Sequence, residues 1–392
     1  MAGTWSRDVA RRIVRRGQRA GPTAVTLSLY QLAWRPAAAV VGRSDPETAH
    51  ARTLSLMRRA DGSRALLAAA RLVNRLALPP RPMLVGGVEL PQPVILAAGL
   101  VKGDGFEAEA AALAAVQAGR DIVPGWRSAP ALLGPVEFGS YTRWPRTGNA
   151  GRVLWRDVPG RSMQNRVGLR NPGARAAAAF LAGHAAWLPR VWGLNLAVSP
   201  GLDDPVIARA EIDEALELFA TAFEGTAAGP AWITLNLSCP NTEDDPHGNQ
   251  SVELAEAMTS GLPTLARRPL WVKVGPDLSD TQLAGLVAVF ARTGVRAVVA
   301  TNTLARPTPD GVASAGLSGA GLRPRALDTV VRLSQAIEAE AASLDIVAAG
   351  GILAGADLQA FRAAGARAAM VYSALVFRGP LAGACILAEA DT

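Results

Sequence analysis

Lysine is nearly absent from this chain. Of its 40 Lys and Arg residues only Lys102 and Lys273 are lysines, and the rest are arginines. With so much alanine alongside, the bias reads as genome composition. The two surviving lysines are worth following, because a compact ammonium and a planar guanidinium are not interchangeable. Cysteine is equally scarce: Cys239 and Cys385 are the only two in 392 residues, which excludes a disulfide scaffold. Three histidines (His50, His184, His247) with no CxxC pair or Cys/His cluster exclude a structural zinc centre, and no metal site is expected. No apolar run approaches the roughly 20 residues that span a bilayer. Acidic residues are scarce at the start. Residues 1–75 carry 14 Arg against Asp8, Asp45, Glu47 and Asp61, a local net of +10 in a chain whose total is +7. The basic character therefore belongs to an N-terminal segment, and the body is mildly acidic.

At 49% hydrophobic and 19% charged, the composition is that of a folded protein with a substantial core. The length suits one barrel-sized domain of roughly 250 residues plus an extension. In the extension, Arg7, Arg11, Arg12, Arg15, Arg16 and Arg19 precede an apolar stretch, 24–34. Arg35-Pro36 and a second short run, 37–41, follow. Basic residues beside short helical apolar runs that hold Tyr30 and Trp34 suit a segment lying in a membrane interface. A solvated basic tail and a cleaved signal peptide are the alternatives. No nucleic-acid motif follows the basic run, so no nucleic-acid partner is expected.

From residue 83 the pattern repeats. A hairpin over 83–90 precedes short apolar runs at 94–98, 136–142, 191–198, 233–238, 270–274, 297–302, 346–349 and 369–374. Stretches of helix length and composition lie between most of them, at 107–118, 208–223, 279–293, 324–342 and 355–364. Eight buried strands alternating with helices predict an α/β fold, a (β/α)8 TIM barrel over residues 81–392, with an N-terminal helical extension over 1–80. Several runs end in small or polar residues: Ala97-Ala98-Gly99, Gly139-Ser140-Tyr141-Thr142, Asn236 to Asn241, Lys273-Val274-Gly275 and Ala300-Thr301-Asn302. The C-terminal strand ends are where a barrel of this kind places its active site.

These motifs together resemble those of the dihydroorotate dehydrogenases, FMN enzymes on a (β/α)8 barrel. The resemblance runs from about residue 30 to about residue 380. Its N-terminal part, from Tyr30 through Asp45-Pro46-Glu47-Thr48-Ala49-His50, is similar to the membrane-associated, quinone-using class 2 enzymes. It implies FMN-dependent oxidation of dihydroorotate to orotate in pyrimidine biosynthesis, with quinone as acceptor. It also implies a peripheral site on the cytoplasmic face of the membrane, the 1–80 segment giving membrane and quinone access. Two other readings stay open: a paralogous FMN oxidoreductase acting on a related ring, and a non-catalytic flavin-binding barrel.

Such a reaction needs a base facing the flavin across the substrate. The resemblance assigns that role to Cys239. It places Lys102, Asn171, Asn236, Asn241 and Asn302 on the substrate, and an asparagine amide offers both donor and acceptor to a flat ring of amide and carbonyl edges. It places Ala98, Gly99, Lys102, Thr142, Asn195, Asn236, Lys273 and Thr301 on the flavin. Lys273 stands in a buried strand, where a charge needs a partner, and an ammonium suits the negative charge of a reduced flavin. Ser318, Gly319, Gly350, Gly351, Tyr372 and Ser373 fall near the phosphate, where glycines let backbone N–H groups approach. Arg152 and Tyr372 match positions lining the quinone passage. Cys385 has no such context and is expected to be structural, and His247 is expected to be a loop histidine.

Four departures from the family pattern bear on the substrate rather than the flavin, and the last two motivate the paralogue alternative. Class 2 usually has serine where Cys239 stands, and usually has a lysine soon after Asn195. The 242–250 loop carries three consecutive acids at 243–245, and the 120–136 region is long.

Overall fold

The computed structural model describes residues 22–202, 204–238 and 251–391. Cys239, Asn241, the acids at 243–245 and His247 lie outside the described residues.

Eight parallel strands close a barrel: β3 (Val94–Leu96), β4 (Val136–Tyr141), β7 (Trp192–Ala197), β8 (Trp232–Asn236), β9 (Leu270–Val274), β10 (Ala297–Ala300), β13 (Asp345–Ala349) and β14 (Ala366–Val371). All eight expected runs are barrel strands. Each reads as a mostly apolar run because both of its faces are buried, with polar residues such as Glu137, Asn195, Asn236 and Lys273 inside some of them. Alternation then sorts the side chains into two cores. Val94, Leu96, Phe138, Leu194 and Leu196 pack outward under the helices. Ile95, Trp232, Trp271, Val299, Val347 and Met370 fill the interior. The last run was expected at 369–374, but its strand ends at Val371 and Ser373 opens a short helix, Ser373–Arg378, because Tyr372 turns the chain out of extended geometry (φ −136°, ψ −63°).

The expected hairpin, β1 (Met83–Val85) and β2 (Val88–Leu90), plugs the N-terminal end of the barrel. There the Trp271 indole donates to Gly86 O (3.0 Å), and Gly86 N donates to Asp345 Oδ2 (2.7 Å). The Trp232 and Trp271 rings stack with centroids 4.7 Å apart. Gly193 is where the backbone makes room for them, since a Cβ there would collide with the Trp232 ring.

Five helices lie where the sequence predicts them, with shifted ends: α4 (Glu109–Gln117), α7 (Pro205–Ala222), α10 (Asp280–Thr293), α11 (Arg323–Ala339) and α12 (Gly355–Ala363). Three precede the barrel: α1 (Pro22–Arg43), α2 (Pro46–Asp61) and α3 (Arg64–Ala77). The two apolar runs of the extension are one continuous helix, α1, that carries Pro36 inside it despite the N–H this residue lacks. Tertiary contact holds α1 in place. The Tyr30 hydroxyl donates to Arg378 O (2.7 Å) and accepts from Leu381 N (3.2 Å). Burial there pushes the phenol pKa up.

Helix α2 is a clamp. Glu47 Oε1 accepts from Val153 N (2.7 Å), Arg58 grips both oxygens of Asp104 (2.6 Å each), and buried Asp61 accepts from Gly125 N and Ser128 N (2.6 Å each). Asp61 thus caps α5 (Ser128–Leu133), and the long 120–136 region is held to the N-terminal helices.

A second sheet was not expected. β5 (Leu154–Asp157), β6 (Ser162–Asn165), β11 (Leu304–Pro307) and β12 (Ser314–Gly319) form it in the order β11-β12-β6-β5, all antiparallel. β5–β6 follows barrel strand β4 and β11–β12 follows β10, so both hairpins arise from C-terminal strand ends. Their turns were legible. Asp157 Oδ1 accepts from Gly160 N (3.0 Å), and in Pro309-Asp310-Gly311 the Asp310 carboxyl accepts from Val312 N (3.2 Å).

Candidate active site

The barrel's C-terminal mouth gathers most of the predicted residues. Asn236 is level with Lys273 on the neighbouring strand, and Asn302 follows the next strand, β10. Asn302 Nδ2 donates to Asn236 Oδ1 (3.4 Å), and Asn302 N donates to Val274 O (2.8 Å). Thr301 is buried, its hydroxyl donating to Asn302 O (2.8 Å). Three adjacent strands therefore bring two amides into contact and set a lysine level with one of them, at successive strand ends.

Lys102 follows β3 in the turn Ala98-Gly99-Leu100-Val101-Lys102, anchored by Gly99 N donating to Gly139 O (2.7 Å). His50, on α2, is the neighbour that sequence reasoning passed over. Burial first, then the charges of Lys102 and Arg170, push its pKa down to about 4. The N-terminal helices thus reach the Lys102 side of the mouth twice, through His50 and through Arg58 on Asp104.

Asn171 and Thr142 are brought together in the interior. Asn171 Nδ2 donates to Thr142 Oγ1 (2.9 Å) and to Leu169 O (2.7 Å), and its Oδ1 accepts from Gly173 N (2.8 Å) and Thr142 N (3.4 Å). All four positions of this amide are taken by the protein, so a contact with a ring would be shared with these partners.

Asn195 differs. It is fully buried, its Nδ2 donates to Glu137 Oε1 (2.8 Å), and its Oδ1 has no hydrogen-bond partner. A buried carbonyl oxygen left open is costly unless something supplies a donor. An oxidised isoalloxazine offers a ring N–H, so this orphan fits the cofactor that the resemblance implies. Glu137 was also missed in the sequence. Its signal was a lone acid inside the apolar run that starts at Val136.

On the opposite side of the mouth Ser373 Oγ donates to Ser318 Oγ (3.0 Å). Gly319, Gly350 and Gly351 all have positive φ (79°, 121° and 76°), which leaves backbone N–H groups free of a Cβ. Tyr372 packs near Gly99, and burial pushes its hydroxyl up to about 12. Arg152 lies apart on the exposed approach to β5, its guanidinium 5.8 Å from the Trp155 ring centroid. Cys385 is buried in the C-terminal helix Ala382–Ala390, and burial raises its pKa. Among the described residues no cluster of His, Cys, Asp or Glu could hold a metal ion.

Residues 83–391 match the sequence profile of the family described as dihydroorotate dehydrogenase. The chain belongs to that family. The quinone-type dihydroorotate dehydrogenase of Methylococcus capsulatus is 31% identical over 369 residues, covering 90% of this chain and 96% of that one. That of Cereibacter sphaeroides is 34% identical over 356 residues, 88% of each chain. The ligand-free dihydroorotate dehydrogenase structure from Eimeria tenella, 21% identical, superposes with a TM-score of 0.68 over 88% of this chain and 94% of its own, a likeness of fold. The family is flavin-dependent.

Proposed function

We propose that this chain oxidises dihydroorotate to orotate in pyrimidine biosynthesis, with FMN as its flavin and a quinone as electron acceptor. The observation that carries the reading is the meeting of Asn236, Lys273 and Asn302 at the mouth, beside the open carbonyl of Asn195. Membership of a family whose curated relatives are quinone enzymes supports it. When bound, FMN supplies the hydride acceptor. Cys239 takes the proton from the neighbouring carbon, a task a thiol with an ordinary pKa of about 8.5 performs more readily near neutral pH than a serine hydroxyl. Lys102, Asn171, Asn236, Asn241 and Asn302 hold the ring and its carboxylate. Lys273 sets an ammonium against the flavin, with Ala98, Gly99, Thr142, Asn195 and Thr301 around the ring. Ser318, Gly319, Gly350, Gly351, Tyr372 and Ser373 hold the phosphate.

The 1–80 segment gives membrane and quinone access, and residues 81–392 carry the chemistry. Leu29, Leu32, Leu56, Leu66, Leu72 and Leu76 are exposed on α1, α2 and α3, next to arginines, which suits peripheral binding to an anionic surface on the cytoplasmic side. No helix among the described residues is long and apolar enough to cross a membrane. Arg152 and Tyr372 line the quinone path.

The long 120–136 region has a structural account in its docking onto α2, which weakens one motive for a different substrate. Anaerobic addition of dihydroorotate should bleach the bound flavin, and a short-chain quinone should restore its colour. A yellow protein that dihydroorotate does not bleach would reject this substrate in favour of a related ring. A colourless protein that takes up no FMN would reject the enzyme reading.

A further inference from the structure

Inside the barrel, one inward step below the mouth, lies a carboxyl group that the proposed chemistry does not use. Glu137 is fully buried on β4. It accepts from Asn195 Nδ2 on Oε1 (2.8 Å), and from Trp232 Nε1 (3.1 Å) and the Thr234 hydroxyl on Oε2. A solvated glutamate needs no such cage, and a purely structural interior would be better filled by an apolar side chain. The arrangement has a direction. An indole N–H can only donate, so Oε2 must accept. Oε1 is then left to fix the neighbouring amide: Asn195 turns its NH2 toward Glu137, and its carbonyl oxygen lies on the far side of the amide, buried and without a partner.

We propose that Glu137 is a positioning residue that sets the polarity of Asn195, holding its carbonyl as a hydrogen-bond acceptor for an N–H of the bound flavin ring. The proposal rests on the reading that Asn195 touches the flavin. An unconstrained asparagine amide can present either end, donor or acceptor, at similar cost. A ring that offers an N–H is bound well by one orientation and repelled by the other. Trp232 and Thr234 hold the carboxyl, the carboxyl holds the amide, and the acceptor is in place before the ligand arrives.

The chain of donors makes a reversible test. In Glu137→Gln, Trp232 and Thr234 still require an acceptor, so the new carbonyl takes the Oε2 position and the new NH2 faces Asn195. Asn195 must then flip and present its NH2 to the ring. FMN affinity, read from the flavin fluorescence released on dilution of the holoprotein, should fall about 10- to 100-fold, with the fold retained by circular dichroism. Asn195→Asp alone sets two carboxyl groups against each other and should also weaken binding. The double variant Glu137→Gln/Asn195→Asp lets the Gln NH2 donate to one aspartate oxygen and leaves the other as acceptor. It should bind FMN within about threefold of the parent. A merely structural role for Glu137 gives no such recovery, so a double variant as weak as Glu137→Gln would overturn the proposal. So would unchanged affinity in Glu137→Gln while Asn195→Ala loses FMN. An Asn195→Ala variant that binds FMN like the parent would remove the contact itself, and with it the premise. If Asn195→Asp alone fails to fold, Glu137→Gln and the double variant still decide the matter.

Discussion

The two ends of the barrel interior are built from the same eight strands, yet they are finished differently. At the closed end the polar atoms named above are matched: the Trp271 indole by Gly86, and Gly86 by Asp345. Stacked tryptophans and a hairpin fill what space remains. At the mouth the interior turns to asparagine, threonine and lysine, and buried polar atoms are left open, Asn195 Oδ1 and Thr303 Oγ1 among them. The closed end spends its side chains on stability. The mouth holds hydrogen-bonding capacity in reserve for something the chain does not itself provide.

Substitutions at the two ends should therefore separate rate from stability. The largest effect is expected at the mouth. Cys239→Ala should slow anaerobic flavin reduction by dihydroorotate about 1,000-fold while the flavin stays bound and the melting temperature is unchanged. Stopped-flow reduction at the parental rate would remove Cys239 from the chemistry. At the closed end, Trp271→Ala should cost about 3–5 kcal/mol in denaturant unfolding, and the protein still folded should reduce its flavin at close to the parental rate. A large rate loss in that folded fraction would mean that the two ends are not independent. Lys273→Met keeps the length of the side chain and removes its charge. It should weaken FMN binding about tenfold with little change in stability, and equal affinities would place the lysine away from the flavin.

The smallest effect concerns the seam between the mouth and α2. Folded His50 titrates near pH 4, against about 6.5 for an unfolded histidine. Its contribution is therefore intact above pH 6.5 and is lost as pH falls from 6.5 toward 4, because the unfolded chain takes up a proton that the folded one excludes. The loss should be about 3 kcal/mol across that window. Unfolding curves of His50→Gln should be flatter there by that amount, and the same slope in parent and variant would show that other groups set it.

Legibility followed burial. The barrel strands were readable because a parallel strand covered on both faces is a mostly apolar run. The sheet at the mouth was not. Its strands are short and partly exposed, and β12, paired with β11, reaches β6 from a distant loop, so only the Asp-Val-Pro-Gly and Pro-Asp-Gly turns mark them. In the extension, Arg35-Pro36 suggested a break between two apolar runs, and the packing of Tyr30 against the chain after β14 carries the helix through it. In the site, Asn236, Lys273 and Asn302 were marked by their place at strand ends, and Lys102 by the resemblance. Asn171 and Asn195 look alike in sequence, and the fold gives one a full set of partners and leaves the other a free carbonyl.

Sequence by itself determined the eight-strand barrel, the basic N-terminal segment, the family, and the strand ends that carry its polar residues. These follow from local periodicity and from residue types at fixed spacing, which the chain displays without folding. Tertiary structure alone decided that α2 clamps the 120–136 region and sets His50 near Lys102. It alone decided that a glutamate in an apolar run stands beneath an asparagine from the next strand. Which side chains share a hydrogen bond across strands depends on register and closure, and no single strand contains that information.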